Sequence, residues 1–329
     1  VPVDETITAP MSDQELTVYL NNLITNNIER GQAYVFEQSV ANPDFEQLLT
    51  IPILMFHDVD SADSNSATNG DDNFVNIAVF KEHLQYLYHN NFYSLSLLEY
   101  ELIRQGAYVP PIDSILITFD DGINSYYHEV EPLLNEYSFK ASSFLIGSTI
   151  DNNPYYLTSA QINDLIIYGH TDFASHTHNF HFQGEPGVTG LGSIETATKA
   201  EIINDSLNMN EVLGFDTKFM AYPYGHYGGN TTDALTETSI EYGFTSNDGI
   251  STITSDNYEL PRLRVHPELT PAGLKLLLNK HNDPQLIVPT VPINEEIKSE
   301  SLNLKRSPSF DPKLINSVSG RFGIIRTIV

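Results

Sequence analysis

The run Ile115-Leu116-Ile117-Thr118-Phe119-Asp120-Asp121-Gly122 drives an apolar strand straight into two adjacent carboxylates and a glycine. Neighbouring carboxylates at a strand end repel each other unless a cation separates their roles. A metal ion bound by one of them leaves the other free to act as a base. Further along, Ser175-His176-Thr177-His178-Asn179-Phe180-His181 offers three imidazoles within six residues. Neutral imidazole is the commonest protein ligand for zinc-like metals, so one carboxylate with two of these histidines makes an open metal site.

Short apolar runs alternate with helical stretches from residue 51 onward, a pattern that predicts parallel strands joined by crossover helices. Strands are expected near 51–56, 114–119, 141–146, 172–175, 219–222, 243–246 and 260–265. Ser96-x-x-Glu99 and Thr158-x-x-Gln161 read as helix starts, and Gly106, Gly169 and Gly214 as helix ends. Repeated β/α units imply a barrel or an open sheet. In either, functional groups gather beyond the carboxyl ends of the strands, where Asp120, Asp121 and His176 fall.

Three segments are expected along the 329 residues: an N-terminal extension over 1–50, an α/β domain over 51–280 and a C-terminal extension or tail over 281–329. Residues 12–31 read as an amphipathic helix, with a Ser12/Glu15 capping box, a stripe of Leu16, Leu20, Leu23, Ile24 and Ile28, and Gly31 as terminator. The polar loop 60–73 carries Asp60, Asp63, Asp71 and Asp72 without EF-hand spacing, and reads as a solvated loop in preference to a calcium site. The segment 291–329 holds six Lys or Arg against four Asp or Glu, opposite in sign to the rest, and either docks on the acidic body or forms a linker.

The formal charge of -27 argues against a nucleic-acid backbone or an anionic membrane surface as partner. It suits either work at high salt or simple solubility. The absence of cysteine removes disulfides, Cys-rich zinc sites and thiol nucleophiles together. No stretch is apolar for long enough to be a transmembrane segment. The chain begins at Val1, so removal of a leader is expected, and with it an extracellular or cell-surface location.

With the Thr-Phe-Asp-Asp-Gly strand end, the Ser-His-Thr-His-x-x-His run and Ala221-Tyr222-Pro223-Tyr224-Gly225 in order, the chain resembles the polysaccharide deacetylases of the NodB-homology, carbohydrate esterase family 4 class over about 51–280. Ile51-Pro52-Ile53-Leu54-Met55-Phe56-His57-Asp58-Val59 and Leu260-Pro261-Arg262 are similar to the branch that deacetylates poly-β-1,6-N-acetylglucosamine. The resemblance implies a distorted (β/α) barrel in which Asp120 is the base and Asp121 a metal ligand. Most of the family spaces its histidine ligands four apart, but position 180 here is Phe, and the five-residue spacing of the β-1,6 branch selects His176 and His181. Geometry alone leaves a rival, since His176 and His178 would share one face of an extended segment.

By the same resemblance, the backbone N–H of Tyr224 stabilises the oxyanion and His57 protonates the leaving amine. One divalent metal is implied, zinc favoured, with cobalt, nickel and iron also accepted by these ligands. The implied partner is an acetylated amino-sugar polysaccharide. The chain departs from the family pattern at Met220-Ala221, where many members place an arginine that pairs with the catalytic aspartate. Arg262 or Arg264 is expected to supply that charge, and Arg262 matches the branch motif.

Two other classes compete. A two-histidine, one-carboxylate set also marks non-haem Fe(II) oxygenases, which typically use an antiparallel jelly roll. A carbohydrate-binding protein that kept the fold and lost catalysis would be consistent with the missing arginine. Within the deacetylases, peptidoglycan and chitin-like oligomers stand as alternatives to the β-1,6 polymer.

Overall fold

The computed structural model describes residues 50–61, 73–108, 110–111, 113–181 and 193–279. The expected helix over 12–31, most of the 60–73 loop and the 281–329 segment lie outside the described residues.

Seven strands carry the fold: β1 (Ile53–Phe56), β2 (Ser114–Phe119), β3 (Ala141–Leu145), β4 (Thr171–Ser175), β5 (Phe219–Ala221), β6 (Tyr242–Asp248) and β7 (Leu260–Arg264). Each lies parallel to its sequence neighbour, and β7 returns to pair with β1. The sheet is therefore a closed seven-stranded parallel barrel, which decides between the two architectures open from the sequence and excludes a jelly roll. The strands match the expected runs because a parallel strand is covered on both faces: all six residues of β2 are buried.

Alternation sorts the apolar residues into two layers. Ile115, Ile117 and Phe119 face outward and pack with Phe80, Leu84 and Leu87 of α1 (Ile77–His89). Leu116, Ile53, Phe144, Ala174 and Phe244 form the other cluster with Tyr100 and Ile103 of α2 (Leu97–Arg104), which covers the amino end of the barrel. By the same parity Thr118, Asp120 and Arg262 fall on the inner side. His83 of α1 is fully buried, and its Nε2 lies 2.6 Å from the Leu269 carbonyl.

The helix starts at Ser96 and Thr158 form full capping boxes. Gly169 and Gly214 end their helices in the left-handed conformation, whereas α2 stops at Arg104 with Gln105 as its cap, one residue before Gly106.

Gly243 on β6 holds up the loop that follows β5. Tyr222 lies over it, with its O–H donating to the Tyr258 carbonyl at 2.9 Å and its ring stacked on Tyr227. A Cβ at position 243 would fall inside the Tyr222 phenol. Gly243→Ala is therefore expected to lose about 1–3 kcal/mol of stability through overpacking, read as a lower urea midpoint at unchanged m-value.

Candidate active site

The carboxyl ends of the strands converge on one cluster. Asp120 and Asp121 follow β2, His57 follows β1, His176 follows β4, and Tyr224 lies in the turn after β5. Asp121 Oδ1 lies 3.2 Å from His176 Nε2 and 3.0 Å from His181 Nε2. The donor atoms of these three residues all lie within 4.8 Å of one another.

These residues fit a metal ion. The Ala221 carbonyl accepts from His176 Nδ1 at 2.8 Å, so the proton sits on Nδ1 and the Nε2 lone pair faces Asp121. Asp121 Oδ1 is buried without a hydrogen-bond partner. Lone pairs facing one another in a buried site repel unless a cation lies among them. Donors about 2.0–2.2 Å from a shared zinc-like ion would sit roughly 3.3 Å apart, close to the separations found.

His178 does not join this set. Its backbone N–H and that of Asn179 donate to Asp205 Oδ2 and Oδ1, both at 2.8 Å, while its ring lies against Gly147. Thr177 takes a left-handed φ of 67°, and its hydroxyl accepts from the Phe180 N–H at 3.1 Å. The segment is thus a tight turn rather than an extended strand, which separates His178 from His176 and brings His181 back to Asp121. Asp205 was missed in the sequence. Its signal was there, since on α3 (Lys199–Leu213) it shares the buried face with Ile202 and Met209, an unusual place for a carboxylate.

Asp120 is held by a two-pronged ion pair. Arg262 donates from Nη1 to Oδ1 and from Nη2 to Oδ2, both at 2.7 Å, and its Nε donates to the Thr245 carbonyl at 2.9 Å. The residues are 1% and 3% exposed. Burial alone would raise the Asp120 pKa, but the guanidinium outweighs it and keeps the carboxyl below its ordinary range. Arg264 instead bonds Asn73. Arg262 thus supplies the charge that Met220 and Ala221, both buried barrel residues, do not.

His57 Nε2 lies 4.0 Å from Asp120 Oδ2. Burial lowers its imidazole pKa more than Asp120 and Asp121 raise it, so it rests neutral. Tyr224, 38% exposed, tilts its ring over His181 at a centroid distance of 4.7 Å and has a left-handed φ of 58°. Asp121 shares this conformation, with φ 73°. Left-handed backbone at a Thr and a Tyr is costly, and it marks the same loops that carry the cluster.

Comparison with known proteins bears on what such a cluster does. A family model described as polysaccharide deacetylase matches residues 108–243. The chain is 30% identical over 191 residues to the poly-β-1,6-N-acetyl-D-glucosamine N-deacetylase of Staphylococcus epidermidis, covering 56% of this chain and 66% of that protein. It is 22% identical over 196 residues to the protein of the same name from Staphylococcus aureus, covering 58% and 67%. Among solved structures, the Streptococcus pyogenes deacetylase PplD in complex with acetate superposes with a TM-score of 0.62 at 24% identity, over 70% of this chain and 98% of that one. That likeness concerns the fold.

Two expectations follow from the geometry. Asp121→Ala, His176→Ala and His181→Ala are each expected to lose bound metal while His178→Ala retains it. Asp205→Ala should weaken metal affinity about 10–100-fold, as loss of an outer support does. Elemental analysis and metal titration of the purified variants check both.

Arg262→Met should leave metal content unchanged but raise the Asp120 pKa, because it removes the charge that favours the ionised carboxylate. The acidic limb of the pH profile of kcat/KM is then expected at higher pH, with Arg264→Met leaving it in place.

Proposed function

Since the chain belongs to the polysaccharide deacetylase family, we propose that it is a metal-dependent hydrolase that removes N-acetyl groups from an N-acetylglucosamine-containing polysaccharide, a poly-β-1,6-linked polymer being favoured. The observation that carries this reading is the Asp120 carboxylate, fixed by Arg262 beside the Asp121, His176 and His181 donor set. The β-1,6 preference rests on the Staphylococcus epidermidis likeness and on the five-residue histidine spacing. We place the protein outside the cell or at its surface, where such a polymer is accessible.

When bound, a divalent ion, zinc favoured over cobalt, nickel or iron, supplies Lewis acidity and eases ionisation of water near pH 7. The remaining chemistry belongs to the chain. Asp120 is ionised at neutral pH because of Arg262, so it accepts the proton of the attacking water. The guanidinium holds both carboxylate oxygens in place, which removes the rotational freedom that would misdirect that transfer. The Tyr224 backbone N–H serves as the second donor to the oxyanion.

His57 rests neutral and becomes an acid only after gaining a proton. Asp120 Oδ2, 4.0 Å away, is the group that has just taken one. We therefore assign His57 to delivering that proton to the departing amine. The reading of a carbohydrate-binding protein without catalysis rested on the arginine missing before Pro223, and it loses that support now that Arg262 holds Asp120.

The test is mass spectrometry of β-1,4- and β-1,6-linked N-acetylglucosamine oligomers incubated with metal-loaded protein. Stepwise acetyl loss is expected and should be faster on the β-1,6 series; faster loss on the β-1,4 series would favour a chitin-like or peptidoglycan substrate, and intact oligomers of both kinds would overturn the proposal. Asp120→Asn should keep its metal and lower turnover by about two to four orders of magnitude.

A further inference from the structure

The rim of the site carries an exposed aromatic ring that is held more firmly than a surface residue requires. Tyr155 is 50% exposed, yet its O–H donates to Asp58 Oδ2 at 3.0 Å, and Asp58 is 7% exposed. Asp58 is itself fixed, because Oδ1 accepts from the Ser125 hydroxyl at 2.6 Å and its N–H donates to the Asn73 carbonyl at 3.2 Å. The Tyr155 backbone is pinned as well. Its carbonyl accepts from the Asn124 N–H at 2.9 Å, and its N–H donates to Asn153 Oδ1 at 3.0 Å. Tyr156 forms an antiparallel bridge with Ile123 and packs edge-on to the Tyr155 ring, at a centroid distance of 5.3 Å and 87° between planes.

The anchors come from the chemistry. Asp58 follows His57 directly, and Ile123, Asn124 and Ser125 follow Asp120, Asp121 and Gly122. The ring is thus braced by the same two strand ends that carry the base, the proton carrier and one metal ligand. Its phenol is raised by burial and by Asp58, with a further contribution from Asp121, as expected of a group near the cluster that stays a neutral donor. Burial, with a smaller contribution from Asp121, likewise raises the phenols of Tyr156 and Tyr224, which lie in the loops after β3 and β5.

We propose that the exposed face of Tyr155 is a stacking platform for a pyranose unit of the glycan, next to the unit being deacetylated. The proposal rests on the deacetylase reading of the site. The ligand class follows from the surface on offer: a flat apolar face beside water matches the C–H face of a pyranose, while the sugar hydroxyls stay solvated. A ring already held at its hydroxyl and at both backbone groups loses little conformational freedom when a ligand covers it. If instead the residue existed only to tether Asp58, its hydroxyl would matter and its face would not.

That contrast gives the experiment. Binding of β-1,6-linked N-acetylglucosamine oligomers and of the monomer is measured by calorimetry on metal-loaded Asp120→Asn protein, alone and combined with Tyr155→Ala or Tyr155→Phe. Tyr155→Ala is expected to weaken oligomer binding about tenfold, equivalent to about 1.4 kcal/mol, and the monomer much less. Tyr155→Phe keeps the ring and should retain most of the oligomer affinity. Oligomer binding within twofold of the parent in Tyr155→Ala would overturn the platform, as would equal losses in Ala and Phe or an equal loss for the monomer. Should Tyr155→Ala fail to fold, Tyr155→Leu, apolar but without a flat face, carries the same expectation. Affinity tests the platform and acetyl release tests the deacetylase reading, so either can fail while the other is still read.

Discussion

An arginine buried inside a barrel costs several kcal/mol of desolvation unless each of its nitrogens is hydrogen-bonded and the charge is matched. Arg262 meets both conditions: its Nε donates to the Thr245 carbonyl, its two terminal nitrogens donate to Asp120, and Nη1 also reaches the Thr118 hydroxyl at 3.3 Å. The guanidinium lies over the Phe144 ring as well, 5.9 Å from its centroid. The pair ties β7 to the end of β2, the two strands that flank β1. His57 leaves β1 between them with its Nε2 4.0 Å from Asp120 Oδ2, so one ion pair sets the charge of the carboxylate that the imidazole faces. Such a pair need not add net stability over an apolar core. What it provides is a carboxylate that is buried, ionised and unable to rotate.

The histidine loop applies the same rule to backbone groups. Asp205 takes the N–H groups of His178 and Asn179, Thr177 closes the turn, and the carbonyls of Thr177 and His178 accept from Gly147 and Ser148. With its polar backbone satisfied inside the protein, the loop can hold a left-handed threonine, and that bend gives the five-residue spacing its meaning. Left-handed residues at Asp121, Thr177 and Tyr224 place the strain where side chains must converge.

Support on the rim follows a similar plan. Asp58, next to His57 in the chain, holds Tyr155 and Ser125 and thereby connects the end of β1 to the loops after β2 and β3. The groups to which we assign the chemistry and those that border them therefore share their anchors.

Much of the fold was legible because its signals are local. Apolar runs of strand length, Ser-x-x-Glu and Thr-x-x-Gln helix starts and glycines after helices depend on residues a few positions apart, and the corresponding elements form nearly where expected. The Asp-Asp-Gly strand end placed the carboxylates beyond β2 for the same reason, since a barrel strand presents its next residues at the carboxyl end. Closure of the barrel was not legible, because it depends on β1 pairing with β7 some two hundred residues later in the chain. The choice between His178 and His181 was open on local geometry too: an extended segment and a tight turn are both compatible with the spacing, and Asp205 on a distant helix decides between them. Pairing of Arg262 with Asp120, burial of His83 and bracing of Tyr155 by Asp58 likewise join residues far apart in the chain. Which chemical groups are available, and at which strand ends they emerge, follows from the order of residues along the chain. Which of them face one another follows instead from the closure of the sheet and from buried polar groups that must find partners wherever the fold supplies them.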